Sequence, residues 1–171
     1  MRALDRELIL RAFAMMADHL SRQNVRGEIV IAGGAVMALE YDVDRVTRDV
    51  DGLISANHGA VIKAAHAIAA QLELPQGWLN EGVSVYLSVE EDPDQRSVFD
   101  HENLIVYAAS AEHLLALKAR AGRPQDIDDL QVLVETIGIT EAGEVIRIVQ
   151  QFFPDDPLSD RNRAIIEDLL D

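Results

Sequence analysis

The sequence predicts an α/β (α+β) fold, a small mixed sheet flanked by helices, with a helical C-terminal half. Three observations carry that expectation. Apolar residues recur at helical spacing near the N-terminus. Short strand-like runs broken by glycine turns fill residues 25 to about 110. From about residue 111 onward the chain reads as consecutive helices. With 171 residues, the expectation is a single domain over 1–171, its sheet-bearing core at about 25–110 and its C-terminal helices at about 111–171.

Residues 4 to about 23 read as a helix, because Ile9, Phe13, Met16 and Leu20 fall on one helical face. Arg26-Gly27 ends it. "EIVIAGG" reads as a short buried strand running into a glycine turn, and "AVMALEY" as a short helix starting there. "DVDGLI" reads as a second strand. Residues 58 to 73 form a helical pattern with Val61, Ala65, Ile68 and Leu72 inward, Asn57 placed to cap it, and Pro75 and Gly77 to break it. "VSVYLSV" alternates apolar Val83, Val85, Leu87 and Val89 with Ser84, Tyr86 and Ser88, which predicts a strand with one buried face. "EEDPDQRSVFDHE" predicts a solvated acidic loop, and "NLIVYAA" the last strand. Ser110 is placed to cap "AEHLLALKARAG" and Gly122 to close it. Pro124 suits the first turn of the next helix, whose apolar face is Ile127, Leu130, Val134 and Ile137. Thr140 and Ser159 are placed as caps of two further helices.

The composition, 49% hydrophobic and 26% charged, is an ordinary globular balance. The chain has no cysteine, which excludes disulfides, thiolate zinc sites and cysteine nucleophiles. No apolar run approaches the roughly 18 residues of a membrane span. Acidic residues inside the apolar pattern of "MRALDRELILRAFAMM" argue against a signal peptide, so the expected setting is the cytoplasm, with no membrane partner. A formal net charge of −15 repels phosphate polymers at long range and argues against general DNA binding. A nucleotide carried with a metal ion is still admitted, because the ion supplies positive charge locally.

Two features carry chemistry. Gly33-Gly34 ends one strand and begins a helix; it is either a plain tight turn or a phosphate seat built from unsatisfied N–H groups. Asp49 and Asp51 stand at i and i+2, so both carboxylates point to the same side of the second strand. Two such charges roughly 6 Å apart repel by about 3 kcal/mol at an effective dielectric near 20. Either water relieves them at a surface strand end, or a cation does. Magnesium suits the second case, taking one or two carboxylates and filling its remaining positions with water and phosphate. If the two strands are neighbours, the turn faces the carboxylates. Arg45 and Arg48 lie between them, within reach of phosphate oxygens or of Asp42, Asp44 or Asp49. The histidines show no metal-site spacing, and Trp78 reads as core.

On these residues the chain resembles a known family. "IAGGAVMALEYDVDRVTRDVD" is similar to the core motif of the nucleotidyltransferase-like superfamily: a strand, Gly-Gly or Gly-Ser, a helix, then Arg-x-Thr-x-Asp-x-Asp. "LPQGWLNEGVSVYL", "VFDHENLIVYAASAEHLLALKARAGRPQDIDDLQVL" and "QFFPDDP" extend the resemblance to a bacterial family of small nucleotidyltransferase-like proteins related to the abortive-infection AbiEii toxins. The resemblance implies a sheet of the nucleotidyltransferase type and Mg2+-dependent transfer of a nucleoside monophosphate from NTP to an acceptor: a protein, an RNA or a small molecule. It also implies a toxin–antitoxin or phage-defence setting with a cognate partner protein. Gly33 and Gly34 would hold the phosphates, and Asp49 and Asp51 the magnesium. The backbone at Gly34 and Ala35, with Arg48 and Lys118, would position the triphosphate. Asp126 would orient or deprotonate the acceptor, with Asp129 one helical turn on.

Read from the residues themselves, Lys118 interrupts the apolar "LLALKA" at the edge of a buried face, where a snorkelling lysine also fits. Asp126 and Asp129 lie near a helix's first turn, where the macrodipole favours acids. Two departures from the superfamily pattern stand out. Ala35 follows Gly34 where many active members carry serine, and no third carboxylate is evident on a neighbouring strand: Glu90 and Glu91 fall at a strand end and Asp100 in a loop. The alternative reading is therefore a catalytically silent nucleotide-binding or partner-binding member of the same fold.

Overall fold

Five strands form one mixed sheet among the residues that the computed structural model describes, 3–42 and 44–171. They are β1 (Gly27–Ala32), β2 (Val50–Ala56), β3 (Leu79–Asn80), β4 (Arg96–His101) and β5 (Leu104–Ala108), in the order β3-β2-β1-β5-β4. β1 runs antiparallel to β2 and parallel to β5; β3 is parallel to β2, and β4 antiparallel to β5. The expected α/β class, with its mixed sheet and helical C-terminal half, is the fold observed.

Two units divide the chain: one holds the sheet and comprises the residues up to Val85 together with Gln95–Ala109, and the other comprises Tyr86–Asp94 with Ser110–Asp171. In the first, helices α1 (Arg6–Ser21) and α3 (His58–Leu72) cover one face of the sheet. Asp5 starts α1, its carboxylate accepting the Leu8 N–H at 2.8 Å. Leu4, expected inside that helix, instead bridges to Thr47 through reciprocal backbone hydrogen bonds. Ile29, Ile31, Val50 and Trp78 are fully buried, and the Trp78 indole N–H donates to the Ala65 carbonyl of α3 at 2.9 Å. Phe13 packs between Trp78 and Phe99. Asn57 does not cap α3: it adopts φ +54 and its amide donates to the Arg26 carbonyl.

Strand prediction fails in one region. Residues 83–89, read as a strand from their alternation, form turns, and Val85 and Val89 are 79% and 98% exposed. Serine hydrogen bonding explains the outcome: Ser84 bonds the Glu81 carbonyl through both N–H and Oγ, and Ser88 bonds Phe152 and His113. Such bonds compete with a strand ladder. One edge strand, β4, lies within the segment read as a loop, so Asp100 is a strand residue. An irregularity between Ser97 and Phe99 breaks its alternation and hides it from a period-two search.

The second unit packs α4 (Ala111–Ala121) against α5 (Ile127–Ile137), α6 (Ala142–Phe152) and α7 (Asp160–Leu170), with a 3-10 turn at Pro124–Asp126. Ser110 caps α4 and Ser159 caps α7 through their side chains, and Gly122 closes α4 at φ +54. The cap of α6 is Glu141 in a capping box with Glu144, one residue beyond the expected Thr140.

Candidate functional site

The sheet's first crossover builds the site. β1 ends at Ala32, and Gly33 takes φ +71 and ψ −146, a conformation essentially reserved for glycine. The chain then enters α2 (Gly34–Val36), which continues as a π-helical turn, Met37–Tyr41. Gly34 and Ala35 thus stand at the first helical positions, where N–H groups lack intrahelical acceptors. A Cβ on Gly34 would lie 2.8 Å from Thr47 Oγ1, so only glycine admits this approach of the motif threonine. Thr47 Oγ1 in turn donates to the Asp49 carbonyl at 3.1 Å, tying the segment before β2 to the glycine turn.

Asp49 immediately precedes β2 and Asp51 lies within it; both are half-buried. Ala32 of β1 pairs with Asp51, which brings the end of the first strand beside the acidic pair. Val50, Gly52 and Ile54 are buried, so Asp51 lies on the alternate face of β2 from these core residues. Its carboxylate is flanked by two glycines. A Cβ on Gly33 would stand 3.6 Å from Oδ2, and one on Gly82 would stand 3.7 Å from Oδ1. With no side chain at either glycine, backbone alone approaches each oxygen, an arrangement that suits a hydrated cation and its phosphate. Two hard carboxylates two residues apart fit magnesium by their donor chemistry. Among the described residues no group of three or more His, Asp or Glu stands together as a metal site, so the remaining ligands would be water and substrate.

Sequence reasoning missed Asn80. It pairs with Asp51 across β2 and β3, donates from Nδ2 to Asp49 Oδ2 at 3.3 Å, and accepts the Gly82 N–H on Oδ1 at 2.8 Å. An asparagine two residues before a glycine is the signal that marks it. Next to it, Glu81 accepts the Ile54 N–H at 3.1 Å and bonds His58 at 2.6 Å. Burial pushes the Glu81 carboxyl up, but the His58 hydrogen bond, the Ile54 amide and attraction to His58 outweigh it and hold the group below the usual value.

Of the residues expected at the site, Gly33, Gly34, Asp49 and Asp51 therefore come together in the first unit. Ala35 is buried at the start of α2. Arg45 and Arg48 lie on the connection to β2, the first half-buried and the second exposed.

Lys118 and Asp126 belong to the second unit, where they join each other. Lys118 Nζ lies 2.7 Å from Asp126 Oδ1 and 2.6 Å from Asp129 Oδ2. Lys118 and Asp129 are only 8% and 1% exposed, so this is a buried ion cluster rather than a snorkelling lysine. The same unit buries His113 against Phe152, with Nδ1 3.1 Å from Asp92 and Nε2 accepting the Ser88 N–H at 3.1 Å. With Nε2 accepting the Ser88 N–H, Nδ1 carries a proton and donates to Asp92. Burial raises the Asp92 carboxyl, yet hydrogen bonds from His113 and Ser110 and attraction to His113 leave it below its ordinary value.

A glycine turn at a strand end beside an Asp-x-Asp strand is the arrangement implied by the resemblance to the nucleotidyltransferase-like superfamily. The chain belongs to the family described as nucleotidyltransferase of unknown function (DUF6036), whose model matches residues 8–141. No curated protein matches the chain. No helix among the described residues is long and apolar enough to cross a membrane.

Proposed function

We propose that the chain transfers a nucleoside monophosphate from NTP to an acceptor hydroxyl with the help of Mg2+. The observation that supports this most is the Asp51 carboxylate set between Gly33 and Gly82, with Asp49 two residues before it. A magnesium ion held by Asp49 and Asp51 would neutralise charge developing on the phosphates. The N–H groups of Gly34 and Ala35, at the positive end of the helical turn, would receive phosphate oxygens, and Arg45 and Arg48 would add cationic reach. The acceptor oxygen attacks the α-phosphorus, the bond to the bridging oxygen breaks, pyrophosphate leaves, and the acceptor proton passes to a base. The roles that the resemblance implies for Lys118 and Asp126 belong to the same proposal and rest on that resemblance.

The net charge of −15 favours a protein or small-molecule acceptor over RNA. A toxin or phage-defence role, with a cognate partner, rests on the likeness to AbiEii toxins, and a cytoplasmic setting on composition. One observation favours the silent alternative: the strand position beside Asp51 carries an amide, Asn80, and not a third carboxylate.

Incubation of the protein with each α-phosphate-labelled NTP and Mg2+, in the presence of cell extract as acceptor, separates the two. Label transfer with pyrophosphate release, abolished by Asp51→Asn, supports the enzyme. Binding without release of pyrophosphate supports the silent reading.

A further inference from the structure

We infer that Asn80 is a positioning residue that orients Asp49 and limits the site to one divalent cation; this rests on the magnesium-dependent reading above. The parallel register Asp51↔Asn80 puts the two side chains on the same face of the sheet. Asn80 is held from both ends. Gly82 N–H donates to Oδ1 at 2.8 Å, which fixes the amide so that its nitrogen is the end facing Asp49 Oδ2 at 3.3 Å. A Cβ on Gly82 would come within 2.9 Å of Oδ1, so the glycine is what permits this closure.

The chemical consequence follows from the donor inventory. The end of Asn80 that faces Asp49 is the amide nitrogen, which has no lone pair to give a cation, while Oδ1 is turned to the Gly82 N–H. Asn80 therefore supplies a hydrogen bond to Asp49 where a carboxylate would supply a metal ligand. That bond draws on one oxygen of Asp49 and reduces its repulsion with Asp51. Two-cation phosphoryl-transfer sites need carboxylates enough to hold both ions about 3.5–4 Å apart. Asp49 and Asp51 find no third His, Asp or Glu beside them among the described residues. One cation, shared by the pair and completed by phosphate and water, is what this donor set holds.

Titration of the full chain with Mn2+, followed by the electron paramagnetic resonance signal of the free ion, tests this without reference to activity. Wild type is expected to bind one Mn2+. Asn80→Asp keeps an oxygen for the Gly82 N–H and adds a carboxylate, so it is expected to bind two. Asn80→Ala removes the orienting hydrogen bond and adds no ligand, so it is expected still to bind one. Unfolding midpoints without metal check that each variant folds; should Asn80→Ala fail, the stoichiometry of Asn80→Asp still decides. Two ions on wild type, or an Asn80→Asp variant that still binds one, overturns the inference alone. No Mn2+ on wild type overturns it together with the magnesium reading.

Discussion

Asp51 Oδ2 lies 3.6 Å from the point where a Cβ on Gly33 would stand, and Gly33 itself sits at φ +71, ψ −146. Backbone and carboxylate are thus adapted to one another at the strand end. Gly33→Ala places a methyl against the carboxylate and a side chain in a disfavoured conformation. The expected result is a loss of about 1–3 kcal/mol in stability. Urea unfolding measures it, and nucleotide titration of the folded variant is expected to show weakened binding. An unchanged urea midpoint would count against the strain.

Gly34 faces Thr47 at a separation that excludes a Cβ, 2.8 Å to Oγ1. Gly34→Ala is expected to destabilise by about 1–3 kcal/mol through overpacking. In a Thr47→Ala background the same change is expected to cost less, because Oγ1 is gone. A double-mutant cycle measures this coupling. Additive effects would show that the approach of Thr47 does not constrain residue 34.

The Lys118 cluster makes a prediction about the second unit. Lys118→Met takes one counter-charge from the buried Asp129 and the half-buried Asp126, for an expected loss of about 3–5 kcal/mol. Adding Asp126→Asn and Asp129→Asn should recover part of it, since the carboxylates then no longer need a counter-charge. Denaturant unfolding of the single and triple variants reads the recovery.

Asp92 gives a pH dependence with a definite sign. Its native carboxyl titrates below the ordinary 3.8. The unfolded chain then takes up the proton first, so Asp92 contributes stability above that value and loses it as pH falls through the lowered native value. Wild type is expected to lose stability more steeply than Asp92→Asn between about pH 5 and about pH 3. Parallel stability curves would contradict the role assigned to the Asp92–His113 pair.

Much of this architecture is legible in the sequence because its signals are local. Ile9, Phe13, Met16 and Leu20 mark α1 by spacing, Ser110 and Gly122 mark the ends of α4, and Gly33-Gly34 with Asp49 and Asp51 mark the crossover between β1 and β2. What is not legible depends on partners distant in sequence. Alternation at 83–89 promises a strand, but Ser84 and Ser88 spend their bonds on Glu81, Phe152 and His113. β4 is recognisable only through β5, since its alternation is interrupted at Ser97/Phe99. Asn80 acquires meaning only once β3 aligns it with Asp51, and Lys118 only once the 3-10 turn brings Asp126, and α5 Asp129, to it.

The central claim is that Asp49, Asp51 and the Gly33-Gly34 turn bind NTP with Mg2+, and thermal unfolding tests it most directly. Wild type and the Asp49→Asn/Asp51→Asn variant are melted with each NTP, with and without Mg2+. A ligand that binds only the folded chain, at about 100 times its Kd, adds about 2.7 kcal/mol. That is expected to appear as an upward shift of several degrees for wild type with at least one NTP and Mg2+, absent without the metal and absent in the double variant. No shift of the wild type with any NTP and Mg2+ would contradict the account.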